Sequence, residues 1–152
     1  GMTAVALIGL FNIFGSFYFG WAGGRSSKKN LLVWIYGLRA VAIFIFMLVP
    51  LSTAAAWIFA AVIGILWLAT VPLTNGLIAQ IFGLRYMSML TGVVFLGHQL
   101  GSFLGAWMGG RIFDETGSYS LAWSISIGLS ILAAICSWPV NEKPLARLGT
   151  AT

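Results

Sequence analysis

Apolar residues run almost unbroken along this chain, and a few charged positions divide them into long segments. Four stretches carry no charged residue: 1–24, 40–84, 86–110 and 116–141. Each is longer than the roughly 20 residues that an α-helix needs to cross a bilayer. The pattern lacks the short alternating strands of a membrane barrel, and helices are the other way to satisfy backbone groups in lipid. The sequence therefore predicts an all-α membrane protein.

Turn signals divide these stretches into five predicted transmembrane helices. Pro50 closes the second helix, a "PLST" turn precedes the third, and Pro139 follows the fifth. The predicted helices cover residues 3–22, 31–49, 55–82, 87–110 and 120–138, and a tail covers residues 139–152.

The distribution of charged residues mainly indicates how the chain is oriented in the membrane. Only 7% of the 152 residues are charged, against about 25% in soluble domains. The gaps on one side of the predicted membrane, with the tail, hold six basic residues, whereas the other side holds only Arg111, beside Asp114 and Glu115. The positive-inside rule then places the C-terminus in the cytoplasm and the N-terminus outside. We expect an integral protein of a bacterial inner membrane and no nucleic-acid partner, because topology explains the basic residues.

The segment "GWAGGRSSKKNLL" (20–32) joins the first two helices on the basic side. It resembles the loop motif of major facilitator superfamily transporters, roughly G-x-L-x-D-R-x-G-R-K. Gly20, Arg25, Lys28 and Lys29 match that motif, whereas Gly24 stands at its aspartate and Ser27 at its second glycine. In the family, this aspartate belongs to a charge network that latches two helix ends.

A second segment, "GRIFDETGSYS" (110–120), is similar to the outside loop between helices eleven and twelve of monocarboxylate and oxalate–formate carriers. The resemblance covers essentially the whole chain and implies helices 8–12 of a twelve-helix fold. The chain would then be part of the C-terminal transmembrane domain. Its partners would be the N-terminal half of the transporter and the lipid bilayer, and the fragment would not transport alone.

Polar side chains fall near one depth, close to the predicted membrane midplane. Counting along each helix places five there, namely Asn12, Arg39, Thr74, Asn75 and His98, and Ser102 shares a helix face with His98. Intramembrane polar groups are costly and usually functional, and transporters bind substrate at this depth. Pro72 should bend the third helix beside Thr74 and Asn75. These six residues are the predicted lining of a substrate cavity.

Two of these residues can carry charge. Arg39 either forms an anion site or gating pair, or snorkels to the cytoplasmic interface. Its counter-charge would come from the missing half, a substrate, or carbonyls and water. His98 either binds substrate or carries a proton, or is a neutral histidine bonded between helices. It leads a polar stripe on the fourth helix that continues through Ser102 to Gly105, with Thr91 two turns before it.

Glycines recur every four residues along the fourth helix, at Gly97, Gly101, Gly105 and Gly109. Small residues let membrane helices approach closely, so this groove is predicted to pack against a neighbouring helix.

A cavity wall that holds Arg39 and His98 and no acidic residue favours an anionic organic substrate. We therefore expect a secondary transporter of a small carboxylate-like anion that works by alternating access, coupled to protons or to exchange. The alternative is a small membrane scaffold that assembles through its glycine face. The helices show neither the paired nucleophile and base of an enzyme nor the ligand spacing of a metal site, and no cofactor is expected.

Overall fold

The chain folds into helices that are joined by short turns. The computed structural model describes residues 2–50 and 52–145. Its elements are α1 (Met2–Gly23), α2 (Lys28–Leu48), α3 (Thr53–Trp67), α4 (Thr70–Phe82), a 3-10 turn (Leu84–Tyr86), α5 (Met87–Thr116) and α6 (Ser120–Ser137). Counting α3 and α4 as one span, five helical segments are long and apolar enough to cross a membrane. The predicted all-helical fold with five membrane-length spans is confirmed.

Local chemistry sets the helix ends. The hydroxyl oxygens of Ser27 and Ser52 accept hydrogen bonds from the N–H groups of Asn30 and Ala55, at 3.3 and 3.1 Å, so each serine caps the start of a helix. Gly117 ends α5 with φ 67°, a left-handed conformation that favours glycine.

The fourth predicted helix is longer than the sequence pattern indicated. It was expected to end at residue 110, but α5 continues to Thr116. The charged residues that were assigned to a loop therefore lie in its last turns. Arg111 and Glu115 form an ion pair of 2.7 Å at a spacing of four residues, which supports a helix. Gly109 and Gly110 do not interrupt α5, and no proline occurs in it, so the polarity of the following residues placed the predicted boundary too early.

The third predicted helix, residues 55–82, is not continuous. It divides at Leu68 and Ala69, near the middle of the 30-residue span Thr53–Phe82. The cause is Pro72, which has no backbone N–H to donate to the carbonyl four residues earlier. The single predicted helix is thus two helices, α3 and α4.

Close packing holds α1 against α3 and α2 against α6. A Cβ atom added at Gly15 would collide with the carbonyl group of Ile65, and one added at Gly64 would lie 2.8 Å from the carbonyl oxygen of Ile8. Glycine is therefore required on both sides of the α1–α3 contact. The main buried cluster joins α2, α3 and α4 and contains Leu32, Ile35, Leu66, Ala69, Leu73 and Leu77.

Helix α5 packs least against the rest of the described chain. Ile112 is its one buried residue. Its N-terminal end follows α4 through the 3-10 turn, and its C-terminal end leads into α6. Most of its length therefore presents an uncovered surface.

Candidate functional site

The break between α3 and α4 leaves backbone groups without their usual helical partners. The carbonyl of Leu68, which Pro72 cannot reach, accepts instead from the N–H of Val71 at 3.0 Å. Because Val71 bonds three residues back, the carbonyl of Trp67 loses its α-helical donor. Such an orphan carbonyl is costly in lipid unless another group satisfies it.

Two side chains donate to the carbonyl oxygen of Trp67: the Thr70 hydroxyl at 3.4 Å and Arg39 on α2. The Nη2 atom of Arg39 donates to the carbonyl oxygens of Leu66 at 2.6 Å and of Trp67 at 3.2 Å. The last carbonyls of a helix carry partial negative charge, so a guanidinium placed there is favourable. Of the counter-charges that the sequence analysis considered for Arg39, the structure shows backbone carbonyl oxygens, those of Leu66 and Trp67. The Nε atom of Arg39 is buried and has no hydrogen-bond partner among the described residues.

Asn12 reaches the same break from α1. Its Oδ1 atom accepts a hydrogen bond from the N–H of Leu68 at 3.3 Å. Two predicted site residues on two different helices therefore meet at the interruption of a third. We call this group, Asn12 and Arg39 with the backbone of residues 66–68, the helix-break cluster.

The second pair of predicted residues lies on α4. Thr91 at the start of α5 donates to the Oδ1 atom of Asn75 at 3.2 Å, which links α4 to α5. Thr74 is half-buried beside Asn75. This link was not predicted, although both residues had been singled out.

His98 and Ser102 lie on the exposed face of α5. The ring nearest to His98 is Phe95, with a centroid separation of 6.3 Å. Helices α4 and α5 run in opposite directions from the Asn75–Thr91 bond. Leu68 and His98 each lie seven residues from that bond, or about 10 Å along their helices. Counted along the chain, the helix-break cluster and His98 are therefore equally far from the Asn75–Thr91 bond.

The glycine groove of α5 is open. No atom outside the helix's own backbone lies within 4 Å of a Cβ built at Gly97, Gly101, Gly105 or Gly109. No described helix fills it, and its packing role stays a prediction. The glycines that do contact a neighbouring helix closely include Gly15, Gly23 and Gly64, which the periodicity did not single out.

Comparison with protein-family models, with curated proteins and with solved structures finds no match in any of the three.

The basic residues at the start of α2 contact α4 and the end of α6. Lys28 Nζ donates to Gln80 Oε1 at 2.7 Å, and Lys29 Nζ donates to the carbonyl oxygen of Trp138 at 3.3 Å. The guanidinium of Arg25 lies 4.2 Å from the centre of the Trp21 ring. Gly20 faces the side chain of Pro72, where a Cβ would lie 3.7 Å away in ordinary contact. We call this end of the bundle the basic end.

Glu142 is the residue at the basic end that sequence reasoning missed. Its Oε1 atom accepts from the N–H of Lys29 at 2.8 Å. Partial burial tends to raise the pKa of this carboxyl. That effect is outweighed by hydrogen bonds from the N–H groups of Lys29 and Lys28 and from the Ser27 hydroxyl, which hold the pKa below its ordinary value. One feature of the sequence could have identified it: Glu142 is the one acidic residue outside the segment 110–120. The predicted tail beyond Leu145, with Arg147, lies outside the described residues.

Proposed function

We propose that this chain belongs to a secondary transporter that moves a small organic anion by alternating access. The observation that carries the proposal is the interruption of the span Thr53–Phe82, where Arg39 donates to the carbonyls of Leu66 and Trp67 and Asn12 accepts from the N–H of Leu68. Interrupted helices near the midplane are a recurring feature of transporter binding sites, because unwound backbone is tolerated there only beside protein or a water-filled cavity.

Charge supports the choice of an anion. Between residues 30 and 84, Arg39 is the only charged residue, and residues 86–110 contain no acidic side chain. A carboxylate that reached this depth would therefore meet a cation and the polar side chains of Asn75 and His98. A cationic substrate would meet no opposing charge in these segments.

The proposed fold is that of the major facilitator superfamily, with the five spans as helices 8–12. The support is the loop motif at Gly20, Arg25, Lys28 and Lys29 and the "GRIFDETGSYS" segment. In this proposal the exposed face of α5 turns toward the remaining helices of the transporter, and the basic end is cytoplasmic in a bacterial inner membrane.

An uptake screen tests the substrate class. The intact protein, as the cell makes it, is reconstituted into liposomes and offered radiolabelled small carboxylic acids, with a quaternary amine and a neutral sugar as comparisons. The proposal expects saturable uptake of at least one carboxylate that His98→Gln reduces severalfold and Leu100→Ala, an exposed position on the same helix, leaves unchanged. Saturable uptake of the amine alone would contradict it.

The uncovered surface of α5 favours a second candidate, a membrane scaffold that moves nothing. The open glycine groove would then be the assembly face. Absence of any solute uptake, together with crosslinks from Gly101→Cys to another protein, would favour the scaffold over the transporter.

A further inference from the structure

The segment that follows α6 turns back across the basic end of the bundle. We call residues Pro139–Leu145 the strap. Val140 packs against the main buried cluster, which fixes the start of the strap. The N–H of Leu145 donates to the carbonyl oxygen of Ile81 at 3.0 Å, in the last turn of α4. The strap is therefore held at both ends.

The middle of the strap contacts α2 through Glu142. A helix begins with N–H groups that have no partner within the helix, and its first turn favours negative charge. The carboxylate of Glu142 accepts a hydrogen bond from the N–H of Lys29, and the Ser27 hydroxyl oxygen accepts one from the N–H of Asn30. The start of α2 is thus capped from within by Ser27 and from the strap by Glu142. The lowered pKa of Glu142 agrees with a carboxylate held in its charged form.

The strap also connects α2 to α4. Gln80 Nε2 donates to the backbone carbonyl of Glu142 at 3.0 Å, and Gln80 Oε1 accepts from Lys28 Nζ at 2.7 Å. One glutamine thereby joins the strap and α2 to the end of α4. The contact matters because α4 is separated from α3 by the break at Leu68 and Ala69. The end of α4 far from the break is the part that a bend there would displace most.

We propose that the strap is a latch that fixes α4 to α2 at the basic end, and that release of Glu142 from α2 lets α4 swing about the break. The latch itself rests on the described contacts alone, whereas its consequence, opening of the cavity toward the basic end, rests on the proposed transport function. Glu142 acts here by positioning two helices and touches no substrate.

Distance measurements between spin labels test the latch. Labels are attached at Asn30→Cys on α2 and Leu84→Cys after α4, both exposed positions, in a Cys136→Ser background of the intact protein. With the strap intact, one narrow distance distribution is expected. Glu142→Ala and Gln80→Ala should each add a longer-distance population, and Glu142→Gln, which keeps an acceptor but loses the charge, should add a smaller one.

The matched control is Lys143→Ala, because Lys143 is the exposed neighbour of Glu142 on the same strap. It should give the narrow distribution. The latch is overturned if Glu142→Ala and Gln80→Ala leave the distribution narrow, or if Lys143→Ala broadens it equally. Should Glu142→Ala fail to insert, Gln80→Ala and Glu142→Gln decide by the same criterion.

Uptake by the same variants separates the two proposals. If Glu142→Ala lengthens the distance while no carboxylate is taken up by any variant, the latch stands and the transport function falls. If carboxylate uptake is present and the distance never responds to Glu142 or Gln80, the latch falls and the transport function stands.

Discussion

The Nη2 atom of Arg39 lies 2.6 Å from the carbonyl oxygen of Leu66, so a charge on α2 is satisfied by the last turn of α3. The contact explains how an arginine can be accommodated near the middle of a membrane-length helix. A charge at this depth costs roughly 2.5–3.5 kcal/mol on insertion scales. Here it is offset by carbonyls that Pro72 and the local backbone leave without helical donors. The two unfavourable groups, a buried cation and an interrupted helix, stabilise each other.

Replacing Arg39 with leucine should therefore destabilise the fold as well as reduce uptake. Hydrogen bonds from charged groups contribute about 1.5–3 kcal/mol, and we expect a loss in that range. Thermal unfolding in detergent measures it, with Phe44→Leu, an exposed position on the same helix, as the control. Equal midpoints for Arg39→Leu and wild type would show that the carbonyl contacts contribute little to stability.

Replacing Pro72 with alanine should restore a backbone donor to the carbonyl of Leu68 and draw α3 and α4 toward one continuous helix. The unfolding midpoint is expected to change little, because the helical hydrogen bonds that the new N–H restores are offset by the carbonyl contacts that Arg39 loses. Uptake is expected to fall severalfold, because the bend on which the proposed motion depends is lost. Amide hydrogen exchange at residues 66–72 provides the structural readout. Unchanged exchange there would mean that the surrounding side chains, rather than proline, maintain the break.

Alanine substitutions at Gly15 and Gly101 should have opposite consequences. At Gly15 the added methyl group meets the backbone of Ile65, and overpacking of this kind costs about 1–3 kcal/mol. At Gly101 nothing lies within 4 Å, so stability should be unchanged. The thermal unfolding midpoints of the two variants, measured in the same detergent, test this prediction. A loss of uptake in Gly101→Ala at unchanged stability would indicate that the groove packs against a part of the transporter outside the described residues.

The five spans could be predicted because each depends only on its own hydrophobicity and length. Pro72 likewise indicated a bend, since the missing N–H is a local property. The partners of Arg39 and Glu142 could not be predicted, because they depend on which helices become neighbours. The glycines illustrate the same limit. Regular spacing drew attention to Gly101, but only the position of α3 reveals that Gly15 has no room for a side chain.

His98→Gln should change how uptake depends on pH. The imidazole is exposed on α5, and the imidazole of histidine can bind and release a proton. If it binds or transfers a proton during transport, glutamine should flatten the pH profile of uptake without lowering the unfolding midpoint. Leu100→Ala, an exposed position on the same helix, serves as the control and should keep the wild-type profile. An identical profile for His98→Gln would remove the proton role and leave at most a contact with substrate.

Acid should weaken the cap that Glu142 places on α2. Its pKa is lowered in the folded protein, so the stability it contributes is fully present above the ordinary pKa of a glutamate and is lost as pH falls through the lower folded value. The charged groups that face it are Lys28 and Lys29 of α2. Unfolding midpoints of wild type and Glu142→Gln should therefore differ at neutral pH and converge in acid. Asp114 and Glu115 are present in both proteins, so their effect cancels in the difference. A gap between the two proteins that persists unchanged into strong acid would show that the charge of Glu142 contributes nothing to the cap.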